Sequence, residues 1–279
     1  MSEVRLLTRS RLPPLLRAIF DPPKQLYVRG DGEDDILDRQ AVAIVGARAC
    51  SQYGSQVARR LGRELAGAGL VVVSGLARGI DGEAHRGALE AGGLTVGVLG
   101  CGIDRDYPAA HAELARRIRE RGLVVSEYES GIEPAPWRFP ARNRIIAGFC
   151  AATVVVEARE RSGALITADF ALEEGRDVLA VPGEITSSLS AGTNALLKLG
   201  AAPCTSADDV LELFGLTREA PAPPAVDGAA KDVLASLPGA PDEVARVTGL
   251  DARTVAVALA ELELAGLAAE GDGIFRPAR

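Results

Sequence analysis

Six apolar runs of strand length recur between residues 41 and 181 of this 279-residue chain. They occupy positions 41–45, 70–73, 95–99, 123–125, 153–156 and 178–181, and each is nearly continuous in Val, Ile, Leu and Ala. A strand that is apolar at every position has no face to give to water, which is the condition of a parallel sheet with helices on both sides. Helix-length stretches separate the runs, at 52–68, 82–91 and 109–121. Parallel strands need such crossovers, because the chain must return to the starting edge before the next strand can begin. This rhythm predicts an α/β fold: a Rossmann-like, doubly wound, mostly parallel sheet.

The segments flanking the sheet read differently. Residues 1–23 carry Pro13, Pro14, Pro22 and Pro23 and read as a short, partly helical lead-in, and residues 24–214 as the Rossmann-like domain. Residues 215–228 contain Ala220-Pro221-Ala222-Pro223-Pro224-Ala225, a linker by composition. Residues 229–279 hold helix-periodic segments joined at Gly249-Leu250-Asp251 and a final Gly-rich hairpin with Ile274 and Phe275, which predicts a small C-terminal winged-helix domain. That tail has five basic residues against eight acidic ones, a local net charge of −3. Contacts to phosphate need cations, so the tail reads as a protein-contact module, not a DNA reader. The leucine-rich segments 196–199 and 211–213 read as core.

Several function classes drop out. No apolar run reaches the length of a membrane span, and the N-terminal stretch is broken by prolines and Arg17, so no membrane partner is expected and the location reads as cytoplasmic. Cys50, Cys101, Cys150 and Cys204 form no CxxC pair, and His85 and His111 lack ligand spacing, so neither a metal nor a disulfide framework is expected. No cofactor is expected either: VGARACSQYG is not a GxGxxG turn, and a Walker A sequence is missing.

Ligands of a parallel sheet meet the C-terminal ends of its strands. There the chain places Gly46 and Arg48, then Ser51; Ser74, Gly75, Arg78 and Gly79; Gly100 and Gly102; Glu157, Arg161, Ser162, Gly163 and Thr167; and Gly183 and Glu184. Glycines let the backbone approach a phosphate, and free N–H groups at helix starts favour anions. One such loop also serves packing alone; the set, with Arg48, Arg78, Arg142, Arg144 and Arg161 distributed through it, predicts a multi-phosphate site.

A second departure from the overall character of the chain points the same way. The protein has a formal net charge of −7 and a single Trp, yet PWRFPARNR at 136–144 puts Trp137, Phe139, Arg138, Arg142 and Arg144 within nine positions. From 138 to 161 the local balance is +3. The stretch reads as a long connection between the fourth and fifth runs, with a helix starting at about Arg142. Aromatic faces stack on bases and arginine reaches phosphate, which describes a single-strand groove. The competing reading makes Trp137 and Phe139 caps on the core and leaves the arginines to solvent.

The segments AIVGARACSQYG, VSGLARGIDGEAHRGAL, GCGIDRDYP, FPARNRIIAG, VVEARERSGALITADFALEEGRDVLAVPG and SAGTNALLKLGA, in this order over residues 24–214, together resemble the DprA/Smf family of DNA-processing proteins. The tail is similar to that family's winged-helix domain. The resemblance implies a non-enzymatic protein that binds and protects single-stranded DNA, in natural transformation or recombination. It further implies loading of RecA recombinase past single-strand-binding protein, and a homodimer through the Rossmann-like domain. It places Arg48 on a phosphate, with Ser74, Gly75 and Gly79 beside it, Arg138, Phe139, Arg142, Asn143 and Arg144 on the next nucleotides, and Ser162, Gly163 and Thr167 closing the cradle. Asp81 is expected to cap or orient the helix after Gly79 and not to touch the anion directly. Ser51, Arg78 and Trp137 complete the expected DNA-contacting set, and no residue is expected to be catalytic. Many family members carry a helical domain ahead of the sheet, for which only about two dozen residues stand here.

Two other readings stay open. PGEITSSLSAGT faintly resembles the PGGxGT loop of nucleotide phosphoribohydrolases, with Glu157 or Glu184 as a carboxylate, although Asn194 stands where that pattern has Glu. A nucleotide sensor with a winged-helix output is the third.

Overall fold

The apolar runs form the middle of a nine-stranded sheet in the order β1-β2-β6-β5-β4-β3-β7-β8-β9. The structure, a computed structural model, describes residues 3–217, 226, 228–271 and 273–277. It divides into two compact units, residues 1–218 and 219–279. In chain order the first unit runs β1 (Val4–Thr8), α1 (Pro14–Arg17), β2 (Gln25–Arg29), β3 (Ala41–Val45), α2 (Gln52–Gly67), β4 (Val71–Ser74), α3 (Ile80–Glu90), β5 (Thr95–Leu99), α4 (Ala112–Arg121) and β6 (Leu123–Ser126). It continues with α5 (Arg138–Phe149), β7 (Ala152–Val155), α6 (Gly163–Glu173), β8 (Asp177–Ala180), α7 (Ala191–Lys198), β9 (Ala202–Pro203) and α8 (Asp208–Leu211).

β3 through β9 are mutually parallel, and β1 and β2 add an antiparallel edge beyond β6. Successive residues of β3 serve opposite faces, as a pleated strand requires. Ala43 and Val45 pack with Ile145, Ile146 and Phe149 of α5 and Ala164 and Ala168 of α6. Val42 and Ile44 pack with Leu61 and Leu65 of α2 and Ile80 and Ala84 of α3. A smaller cluster of Leu99, Leu114, Ile118 and Val124 seats α4.

The lead-in departs from the sequence reading. Residues 4–8 form a strand, and the helical part of the lead-in is short: a 3-10 turn at Arg9–Arg11 and the four-residue α1. Arg5 anchors that strand: its guanidinium donates to Asp34 at 2.9 Å and to the carbonyls of Gly30 and Gly32. The leucine-rich segments are divided as well: Leu196 and Leu211 are buried, whereas Leu199 is 85% exposed and Leu213 47%.

The second unit contains α9 (Ala229–Ala235), α10 (Pro241–Thr248), α11 (Ala252–Leu264) and the antiparallel pair β10 (Ala268–Gly271) and β11 (Ile274–Pro277). Its core is Val233, Val244, Val255, Leu259 and Leu262. Gly249, at φ +72°, ends α10 in the left-handed conformation, and Asp251 caps α11 by accepting from the backbone N–H groups of Arg253 and Thr254. Three helices and a two-stranded wing make the winged helix. Most of the linker expected at 215–228 lies outside the described residues.

Candidate nucleic-acid interface

The chain builds from β3 through β4 and β5 to β6 on one side, then crosses back to place β7 and β8 on the other. A crevice opens outside the carboxyl ends of the strands where the winding reverses, and this is the usual ligand position in such sheets. Here a cavity of about 230 Å³ lies between the β3–α2 loop (Gly46, Arg48), α5 (Phe139, Asn143) and the start of α6 (Ser162, Gly163, Thr167). A second cavity of about 190 Å³ adjoins it, sharing Arg48, Phe139 and Arg142 and adding Gly75, Arg78, Tyr107 and Pro108.

The floor is built from side chains turned onto backbone. Ser74 is fully buried, and its Oγ donates to the Ile44 carbonyl at 2.6 Å, tying β4 to β3. Asp81 accepts from the N–H groups of Gly75 and Ala77, so it holds the loop before α3 and does not cap that helix. Burial pushes its carboxyl above the usual range, against the pull of Arg142. Leu76 sits at φ +57°, a strained region for a branched residue, and its carbonyl accepts from His111 Nδ1 at 2.9 Å. Gly79 (φ +74°) meets the backbone of Ala47 and Arg48, so a side chain there would push the two loops apart.

Two of the expected contacts change role. Arg142 is 4% exposed and spends its guanidinium on the carbonyls of Gly75 and Val98 and on Asn143 Oδ1. Burial lowers its pKa to about 10, against the opposing attraction of Asp81. It is a fixed charge beneath the crevice and not a mobile arm. Arg144 lies outside both cavities; its Nε binds Asp21 at 2.9 Å and its Nη2 binds Glu127 at 2.6 Å, clamping α5 to the lead-in and to the end of β6. The reason is the helix start. α5 begins at Arg138, not Arg142, because a proline in the first turn removes an N–H that has no helical partner there. Pro140 thus leaves Arg142 and Arg144 well inside the helix.

Ser51 also moves. It caps α2, accepting from Gly54 N while donating its Oγ to Glu157, and it belongs to a separate cavity. Of the other expected residues, Arg48, Gly75, Arg78, Phe139, Asn143, Ser162, Gly163 and Thr167 line the two cavities, whereas Ser74, Gly79, Trp137 and Arg138 line neither. Ser162 caps α6, and Asn143 Nδ2 donates to the Gly163 carbonyl at 3.0 Å, joining α5 to α6. The eleven-residue α6 starts at the cavity, so its positive dipole end favours an anion there. Phe139 stacks on Tyr107 with ring centroids 5.3 Å apart, and the Arg48 guanidinium lies 5.3 Å above the same ring. Arg138 spans the rings of Trp137 and Tyr128 at 4.8 and 5.2 Å. Trp137 is 62% exposed, so it does not cap the core. Sequence reading missed Tyr107, which stands 32 positions before its stacking partner in GCGIDRDYP.

Among the described residues no acidic, His or Cys cluster could hold a metal ion, and no helix is long and apolar enough to cross a membrane. Burial pushes the Cys101 thiol up to about 11 and that of Cys204 to about 12, so neither is an activated nucleophile.

The family model for DNA recombination-mediator protein A matches residues 3–215, and that for the DprA winged helix domain matches 217–273. The chain belongs to the DNA recombination-mediator protein A family. Within it, the DNA processing protein DprA of Mycobacterium tuberculosis is 45% identical over 266 residues, covering 91% of this chain and 68% of that protein. Streptococcus pneumoniae DprA is 47% identical over 199 residues, 71% of this chain and 70% of its own. Its solved structure superposes with a TM-score of 0.72 over 78% of this chain and 76% of that one, at 43% identity. The Helicobacter pylori DprA structure, described for its single-stranded DNA binding mode, gives a TM-score of 0.69 at 30% identity, over 77% of this chain and 98% of that one. The DprA family resemblance noted in the sequence therefore holds over both units.

Proposed function

We propose that this chain binds single-stranded DNA across the crevice at the carboxyl ends of β3 and β7, without catalysis, and hands it to RecA recombinase as a homodimer. The observation that carries the DNA reading is Arg48. It is exposed, makes no ion pair among the described residues, and is held over the Phe139–Tyr107 stack beside the start of α6. A cation poised on an aromatic platform suits a phosphate followed by an unpaired base, which every sequence offers. A duplex hides its base faces, and the formal net charge of −7 disfavours binding it through a broad cationic face. The H. pylori relative described as binding single-stranded DNA supports the same choice.

Self-association has its own support. Ile166, Leu172, Leu199 and Leu213 are exposed along two adjoining grooves of α6, α7 and the segment after α8. Such a contiguous apolar surface suits a protein partner, and a second copy is the economical one. Protection of the strand, transfer past single-strand-binding protein, a role in natural transformation and a cytoplasmic location follow from this reading.

The phosphoribohydrolase alternative loses support from the geometry. Glu157 is 4% exposed and its two oxygens accept from Ser51 N and Oγ, so it is occupied as an anchor.

Fluorescence anisotropy with labelled oligo-dT and a matched duplex, each across a salt series, tests the proposal. Tight, salt-sensitive binding of the strand with weak binding of the duplex is expected. Equal affinity for both would overturn the single-strand reading.

A further inference from the structure

The loops that flank the crevice serve a third cavity on the side away from Phe139. It encloses about 520 Å³ and is lined by Ser51, Tyr53, Glu157, Glu184 and Ser190, with Gly183 between the last three. The β3–α2 loop gives Arg48 to the phosphate cavity and Ser51 to this one; the β7–α6 loop gives Ser162 to the former and Glu157 to the latter. The two cavities are thus only a few residues apart along each loop, within reach of adjoining parts of one strand.

The chemistry of the two differs. No Arg or Lys lines the third cavity, while two carboxylates do. Glu157 forms its buried floor and makes no ion pair among the described residues, and Glu184 stands exposed at the rim. Such a cavity rejects phosphate and takes a group rich in hydrogen-bond donors. Tyr53 crosses its mouth: the hydroxyl donates to the Pro182 carbonyl at 3.3 Å and the residue is 52% exposed, leaving an anchored ring for a flat partner to stack on. A Cβ at Gly183 would strike the Ser190 side chain, so Gly183 lets Ser190 pack directly against the backbone of that wall.

We propose that this cavity receives a nucleobase of the bound strand and prefers one with an exocyclic amino group, such as cytosine, over thymine or uracil, because the Glu184 carboxylate accepts from such an amino group. Thymine and uracil carry a carbonyl oxygen at that position, and its lone pairs face the carboxylates unfavourably. The proposal rests on the single-strand reading above and adds a base preference to it. The faint PGEITSSLSAGT motif then supplies a base-sensing rim, Glu184, in place of a hydrolytic carboxylate.

The test compares oligo-dC with oligo-dU of equal length, which differ in the ring only at and next to that amino position, by anisotropy at a pH above neutrality where cytosine carries no extra proton. The full chain is used, as wild type and as Glu184→Gln, an exposed position whose change leaves the Glu157 anchor alone. The wild type is expected to bind oligo-dC about tenfold tighter than oligo-dU, and Glu184→Gln to narrow that ratio to about threefold or less. Equal affinities in the wild type, or a ratio that Glu184→Gln leaves unchanged, would overturn the proposal. Failure of both strands to bind would instead strike the single-strand reading itself.

Discussion

Several arginines of the helical shell and those of the crevice are the same residue in opposite electrostatic states. On the shell, Arg60 closes on Glu64 at 2.8 Å, Arg86 on Glu83 at 2.6 Å, and Arg116 lies between Glu113 and Glu120. At the crevice, Arg48 and Arg78 are exposed and make no ion pair among the described residues. Exposed ion pairs contribute only about 0–1 kcal/mol each, so the shell pairs do little for stability. Their consequence is to cancel charge locally where they form. At the crevice the α6 dipole and buried Arg142 add to the charge of Arg48 and Arg78. Net charge therefore misdescribes this protein as a DNA binder, because the distribution of partners decides where an anion is attracted.

The sharpest way to break this contrast is to remove two arginines from each population. Arg48→Ala with Arg78→Ala is expected to weaken single-strand binding about a hundredfold, at roughly 1.5 kcal/mol per charged contact, and to lower the salt slope by about two. Arg60→Ala with Arg116→Ala is expected to leave the affinity within about twofold. Anisotropy across a salt series reads both. Equal losses in the two double variants would show that the chain binds by overall charge alone.

Arg144 sharpens the comparison because the sequence assigns it to one population and the structure to the other. Its guanidinium is held by Asp21 and Glu127. Arg144→Ala is expected to cost about 2 kcal/mol in urea unfolding, since it strands Glu127 beside the end of β6. The salt slope of binding should stay unchanged even if the affinity falls. A slope lowered by one would return Arg144 to the phosphate contacts.

How much of this was legible in the sequence depended on what each residue had to declare. The central strands were legible to within one or two residues, because burial on both faces forces an unbroken apolar run. β1 was not: Val4 and Leu6 are 40% and 46% exposed, only Leu7 is buried, and an edge strand held by Arg5 and its distant carbonyl partners leaves no local pattern. In the site, the loops at the strand ends announced themselves through glycine and serine. Arg142 and Arg48 did not announce that one is a buried brace and the other an exposed contact. That difference arises from the carbonyls of Gly75 and Val98, which only the assembled sheet brings together. Pro140 misled in the same way, since a proline in a first helical turn and a proline in a loop are identical in sequence.

The smallest effect separates the two regions by pH. His85, on the shell helix α3, is fully buried; its Nδ1 meets Thr95 Oγ1 at 2.7 Å, and Thr95 in turn donates to the Val72 carbonyl. Burial, followed by repulsion from His111, Arg86 and Arg142, lowers its pKa from 6.5 to about 3. Between those values the unfolded chain holds a proton on this histidine that the folded chain does not. Stability must therefore fall as pH drops from 6.5 towards 3, with a limiting slope of about 1.4 kcal/mol per pH unit and roughly 1 kcal/mol lost over the first unit. Asp81 acts with the opposite sign, because its raised carboxyl pKa keeps a proton on the folded state; its share of stability is present at low pH and lost as pH rises through that pKa. Comparing wild type with His85→Asn in urea melts across this range removes the Asp81 share and leaves the histidine slope, which the variant should lack. The crevice arginines stay charged throughout, so the salt slope of strand binding should not move over the range where the protein stays folded. A binding slope that tracked the stability curve would mean that the shell and the crevice titrate as one unit.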